Sequence, residues 1–108
     1  PYIGAYAASK HGVLGMVKVA ALEVAKTGVT VNAICPGYLT TEMTEKSIEN
    51  IAMKTGISHD EAADRLKIYT PQRRLFEVEE VTAAALYLAS ADARGVNGQG
   101  LSVCGGET

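Results

Sequence analysis

Gly28-Val29-Thr30-Val31-Asn32-Ala33-Ile34-Cys35-Pro36-Gly37 is the stretch on which the fold turns. Apolar and β-branched residues stand between a glycine and a Pro-Gly pair, which predicts a short buried strand over Val29–Cys35. Working backward, Ala, Val, Leu and Met recur from Tyr6 to Lys26 with few polar interruptions, and Gly28 supplies the stop, which predicts a long, largely buried helix. A helix feeding a strand in this way points to a parallel sheet. Working forward, Thr44–Thr55 and Ser58–Tyr69 are polar and helix-prone, split by Gly56, with Ser58 and Glu61 spaced as a capping box. They form a small helical flap. Pro71-Gln72-Arg73-Arg74 turns the chain into an Ala/Leu-rich helix over Val78–Ala91, with Glu77, Glu79 and Glu80 at its positive end. A last strand, Leu101–Cys104, is closed by Gly105-Gly106. The order helix, strand, flap, helix, strand is that of the second half of an α/β, doubly wound parallel-sheet domain. Two short parallel strands leave unpaired edges and bare helix faces, so the segment is expected to depend on strands it does not contain.

The bulk composition narrows the function classes. With 108 residues, 47% hydrophobic, 20% charged and a net charge of -2, the chain reads as part of one globular domain. The scattered charges give no basic footprint for nucleic acid and no polybasic or amphipathic signal for a membrane surface. The apolar run within Val13–Ala25 is broken by Lys18 and Glu23 and is too short to span a bilayer. Pro1-Tyr2-Ile3-Gly4 has neither an initiating Met nor the layout of a secretory signal, so further chain is expected ahead of it. The two cysteines, Cys35 and Cys104, sit in strand-like runs and read as reduced thiols of a cytoplasmic protein.

Tyr6 and Lys10 stand four residues apart at the start of the first helix, so their side chains share one face. A free phenol titrates near about 10, and a neighbouring ammonium favours its ionised form, so such a pair suits general acid/base work. Other features carry less. Gly95, Gly98 and Gly100 precede a strand instead of opening a helix, the wrong context for a phosphate-binding turn. His11 and His59 have no partner at metal or triad spacing, so no metal site is expected. Arg73 and Arg74 could salt-bridge or reach an acidic carrier, with a solvated turn the plainer reading. Met43, Ile48, Ile51 and Met53 fit either a substrate-facing lid or packing of that lid onto the body.

Tyr6-Ala7-Ala8-Ser9-Lys10, Gly12 and Gly15 in the helix, Val31-Asn32 in the strand, the loop Pro36-Gly37-Tyr38-Leu39-Thr40-Thr41-Glu42-Met43, and the ending from Gly98-Gln99 to Val103-Cys104-Gly105-Gly106 together resemble the short-chain dehydrogenase/reductase family over nearly the whole chain. The resemblance implies that residues 1–108 are the C-terminal segment of one Rossmann-fold domain, the N-terminal dinucleotide-binding half being absent. It implies NAD or NADP as cofactor. It further implies that Tyr6 exchanges the proton with the substrate while Lys10 favours the tyrosinate and hydrogen-bonds the nicotinamide ribose. The Leu39 backbone and the Thr41 hydroxyl would meet the carboxamide and a nearby phosphate, with Pro36 and Gly37 letting the chain pass close to the cofactor. Ser9 is not the family's catalytic serine, which lies about a dozen residues ahead of the tyrosine and hence before Pro1. The catalytic asparagine and the glycine-rich turn are likewise missing. Cys104 departs from the acidic residue that many members carry there.

Within the family, Lys10-His11-Gly12, the run Thr27–Gly37 and Val103–Gly106 look like polyketide ketoreductases, whereas the flap with Lys54-Thr55-Gly56-Ile57-Ser58 looks like 3-hydroxybutyrate dehydrogenases. Both groups, with the 3-oxoacyl carrier-protein reductases, interconvert 3-oxo and 3-hydroxy acyl compounds. The expectation is therefore a small-molecule or acyl-thioester substrate, acted on by a homo-oligomeric (dimeric or tetrameric) oxidoreductase. The alternative is a non-catalytic fragment, or an oligomerisation or interaction domain of the same fold.

Overall fold

The computed structural model describes residues 3–107, so Pro1, Tyr2 and Thr108, including the opening Pro1-Tyr2 read above, lie outside the described residues. Helix α1 (Gly4–Val24) and a 3₁₀ turn (Ala25–Thr27) lead to strand β1 (Ala33–Pro36). Helices α2 (Glu42–Thr55), α3 (His59–Lys67) and α4 (Val78–Ala89) follow, then a second 3₁₀ turn (Ala91–Ala93) and strand β2 (Gly100–Val103). β1 and β2 are hydrogen-bonded neighbours. Ala33 N–H donates to the Gln99 carbonyl at 2.8 Å and Gly37 N–H to the Val103 carbonyl at 2.9 Å, so the partners advance together and the pair is parallel. The chain divides into two compact units, one of residues up to Ile34 with Ala84–Leu101, the other of Cys35–Ala83 with residues from Ser102 on.

In the first unit, α1 is apolar on all sides, the pattern of a helix meant for burial. Yet Ala21 is its one buried residue among those described, while Met16 and Leu22 are 73% and 79% exposed. Gly28, at φ 84, ends the run in the left-handed region open to glycine, as its place after the helix predicts. The predicted strand over Val29–Cys35 is only partly formed, because the ladder starts at Ala33. The residues before it are held instead by two asparagines. Asn97 accepts from Val31 N–H at 2.9 Å and donates to the Ala21 carbonyl at 3.0 Å. Asn32 donates to the Val96 carbonyl at 2.9 Å and accepts from Gln99 N–H at 3.0 Å. Side-chain amides thus do for Val31 and Asn32 what a strand partner would do, and β-propensity cannot signal that.

In the second unit, α2 begins at Thr41, whose hydroxyl accepts from Thr44 N–H at 3.4 Å, and ends at Gly56, at φ 70. α3 starts on Ser58, whose hydroxyl accepts from Glu61 N–H at 3.2 Å, the forward half of the expected capping box. Ile48, Ala62 and Leu66 form the buried contact between the two helices, with Ile51, Ala52, Ile57 and Ala63 packed around it. Of the four flap residues, Ile48 and Ile51 pack the flap together, while Met43 and Met53 are 79% and 83% exposed. α4 ends at Ala89, short of the expected Ala91, because Ser90 turns out of the helix and begins the second 3₁₀ turn. The expected solvated turn at Arg73-Arg74 is more ordered than its composition suggests. Arg74 makes a two-pronged ion pair with Glu80, at 2.8 and 2.6 Å.

Candidate active site

Tyr6 and Lys10 lie in the first unit, in the opening turns of α1, and the helix brings them together as their spacing predicts. The Lys10 ammonium sits 5.4 Å from the centroid of the Tyr6 ring, a cation–π contact worth about 0.5–1 kcal/mol at an exposed site. Tyr6 is 63% exposed. Tyr6 and Lys10 are both exposed on the helix surface, where a ligand can reach them. Ser9, between them, donates its hydroxyl to the Tyr6 carbonyl at 2.8 Å, a bond internal to the helix.

Pro36, Gly37, Leu39 and Thr41 lie in the second unit. Their loop rests on Phe76, which is 1% exposed. Leu39 and Phe76 form a parallel bridge, with Phe76 N–H donating to the Tyr38 carbonyl and Thr40 N–H to the Phe76 carbonyl, both at 2.9 Å. The Thr40 hydroxyl donates to Glu77 at 2.8 Å. A Cβ at Gly37 would lie 3.1 Å from Cys104 Cα and 3.2 Å from the Phe76 ring. Packing beneath the loop thus favours glycine there, since a side chain would need Cys104 or Phe76 to give by a few tenths of an ångström. Thr41 is exposed, and its oxygen already accepts from Thr44 N–H. The same oxygen lies 3.4 Å from the Thr44 hydroxyl, and where Thr44 is the donor of that pair the Thr41 proton can reach an acceptor such as a carboxamide or phosphate oxygen.

An open recess of about 330 Å³ adjoins this loop, lined by Thr40, Thr41, Glu42, Thr44, Glu45, Ile48 and Leu75. Phe76 and Glu77, which anchor the loop, and Glu45, which lines the recess, escaped the sequence reading because they meet it from other elements at separations without periodicity. Among the described residues, no cluster of three or more His, Cys, Asp or Glu side chains is placed to hold a metal, and no helix is long and apolar enough to cross a membrane.

Comparison with known proteins adds to this geometry. Residues 1–108 match the family described as enoyl-(acyl carrier protein) reductase. D-beta-hydroxybutyrate dehydrogenase of Rhizobium meliloti (strain 1021) is 43% identical over 100% of this chain and 42% of its own length. Among solved structures, a short chain dehydrogenase family protein from Francisella tularensis subsp. tularensis SCHU S4 superposes with a TM-score of 0.91 at 31% identity, covering 96% of this chain and 43% of that one. The F189W variant of actinorhodin polyketide ketoreductase, solved with NADPH, gives a TM-score of 0.85 at 42% identity, covering 94% and 39%. The chain therefore spans about two fifths of the length of the relatives it matches. Its helices and parallel strand pair are part of a doubly wound Rossmann fold. A match over its whole length, together with close superposition on solved members, establishes that the chain belongs to the short-chain dehydrogenase/reductase family.

Proposed function

We propose that this chain is the C-terminal segment of an NAD(P)-dependent oxidoreductase that interconverts a carbonyl and a secondary alcohol, with a 3-oxoacyl or 3-hydroxyacyl compound, free or as an acyl thioester, as substrate. The observation that carries the reading is the Tyr6–Lys10 pair on one face of α1, with the ammonium 5.4 Å from the centroid of an exposed Tyr6 ring. Bound NAD or NADP supplies or takes up the hydride. In reduction, Tyr6 donates its hydroxyl proton to the oxygen of the substrate carbonyl, whose carbon receives the hydride; in oxidation the tyrosinate takes that proton back. Lys10 favours the tyrosinate by its charge and donates to the ribose of the cofactor. The Leu39 backbone and the Thr41 hydroxyl hold the carboxamide and phosphate end, with Pro36 and Gly37 fixing the path of the loop. NADPH in the actinorhodin ketoreductase supports the cofactor class. The hydroxybutyrate and polyketide relatives support the acyl substrate.

Two further readings accompany it. The protein is a homo-oligomer, dimer or tetramer, supported by the uncovered apolar surface of α1. It is cytoplasmic, supported by Cys35 and Cys104 both being free thiols. The test of the central reading is Tyr6→Phe in the full-length protein. That variant keeps the ring and removes the proton, so kcat is expected to fall by roughly 10²–10⁴ while cofactor binding persists. Lys10→Ala is expected to lower both kcat and cofactor affinity. Near-normal turnover in Tyr6→Phe refutes the catalytic assignment, and unchanged affinity in Lys10→Ala refutes the ribose contact.

A further inference from the structure

The flap carries an ion pair that the catalytic reading does not use. His59, the first residue of α3, meets Glu45, in the first turn of α2, through Nε2 and Oε1. The bond joins residues 14 apart across the connection at Gly56. The groups facing the imidazole are Glu45 and Glu49 from α2 and Asp60 from α3, whose carboxylate lies 3.9 Å from Nδ1. All three are acidic. Glu45 also lines the recess beside Thr40 and Thr41, as does Ile48, which belongs to the α2–α3 contact.

We propose that His59 and Glu45 form a pH-operated latch on the α2–α3 flap: the imidazolium ties the start of α3 to the base of α2, and deprotonation loosens that tie and frees Glu45 at the wall of the recess. The charged ring donates from Nε2 to Glu45 and is attracted by the charge of Asp60 on its other side; the neutral ring keeps one N–H and no charge. The hydrogen bond to Glu45, followed by its charge, raises the His59 pKa above 6.5, and the charges of Asp60 and Glu49 act in the same direction. For a raised pKa, the contribution to the folded flap is complete below 6.5 and is lost as pH rises through the higher folded-state value. Side-chain exposures of 51% and 52% make this a solvent-screened pair, so its effect falls on local opening of the flap and not on global unfolding. The latch belongs to the α2–α3 pair and does not depend on which substrate the protein takes.

The experiment is amide hydrogen exchange of residues 44–66 in the full-length protein, expressed as protection factors from about pH 6 to about pH 8.5, on wild type, His59→Gln and Glu45→Gln. Wild-type protection in α2 and α3 is expected to fall roughly two- to fivefold as pH rises, with both variants flat at the lower level. Wild-type protection independent of pH, or variants that keep the wild-type slope, overturns the latch. A nuclear magnetic resonance titration of His59 provides an independent readout. Its midpoint is expected above 6.5 and should drop in Glu45→Gln; a midpoint at or below 6.5 in wild type overturns the proposal as well.

Discussion

Arg73 is the one non-glycine residue at positive φ among those described, at φ 55, where a Cβ crowds the backbone at a cost of about 1 kcal/mol. Its guanidinium donates to the Ile68 carbonyl at 3.1 Å, at the C-terminal end of α3, where a cation also meets the helix dipole. The side chain and the backbone thus pull in opposite directions at one position, and two substitutions separate them. Arg73→Ala keeps the strained backbone and loses the cap, so it is expected to destabilise the full-length protein by about 0.5–1.5 kcal/mol. Arg73→Gly loses the cap but relieves the strain and is expected to be about 1 kcal/mol more stable than Arg73→Ala in urea unfolding. Equal stabilities for the two variants refute the strain. The residue scale also marks where sequence reading works. The contact between Tyr6 and Lys10 is legible because helix geometry fixes what lies four residues along. The Thr40–Glu77 and Glu45–His59 bonds are not, because their partners come from other elements at separations of 37 and 14 residues. Residue type alone left Ile48 and Met53 alike as lid candidates; only packing sent the first into the α2–α3 core and the second toward solvent.

At the scale of the element, α4 begins on a small network that composition only hinted at. Glu79 and Glu80 in the first turn suit the positive end of the helix, but Glu80 does more than sit in its field. It pairs with Arg74 through both oxygens and accepts from Glu77 N–H at 2.8 Å. The Arg74 guanidinium also lies over Phe76, 4.4 Å from the ring centroid, so the bond that starts α4 is tied to the ring that supports the Leu39 loop. The Arg74 hydrogen bond, then the Glu77 backbone bond, hold the Glu80 carboxyl down to about 2 from 4.5. A depressed pKa contributes stability above 4.5 that is lost as pH falls toward 2. Glu80→Gln is expected to melt lower than wild type at about pH 5, and the two melting temperatures should converge as pH approaches 2. Parallel curves over that range would detach Glu80 from the acid response. Element boundaries were less legible than element types, and β1 explains why. Val29–Asn32 carries strand propensity, yet the Val31 N–H donates to the Asn97 side chain and the Val31 carbonyl accepts from Gly98 N–H, so pairing starts four residues later than β-branching implies.

Across the whole molecule, α1 sets the terms. Val13, Met16, Val19 and Leu22 are 52–79% exposed, and covering each contributes about 1–2 kcal/mol, or ~4–8 kcal/mol together. That is comparable with the ~5–15 kcal/mol of an entire domain's stability. Gly12 and Gly15 point the same way: each costs about 0.5–1 kcal/mol relative to alanine in a helix interior, and a Cβ at either would meet nothing within 4 Å. A second element packed closely on the helix would offset that cost. The two-stranded β1–β2 ladder likewise falls below the three strands that a sheet needs for independent stability. These deficits agree with a chain that spans about two fifths of the length of its relatives. On the proposed reading as a segment of a longer protein, residues 1–108 produced alone are expected to bind a hydrophobic dye such as ANS and to melt without a sharp transition, and the longer protein is expected to melt cooperatively and leave the dye unbound. A cooperative, dye-free transition in the isolated segment would mean that α1 is satisfied by contacts within its own unit, and the account of its apolar faces as covered surfaces would fail.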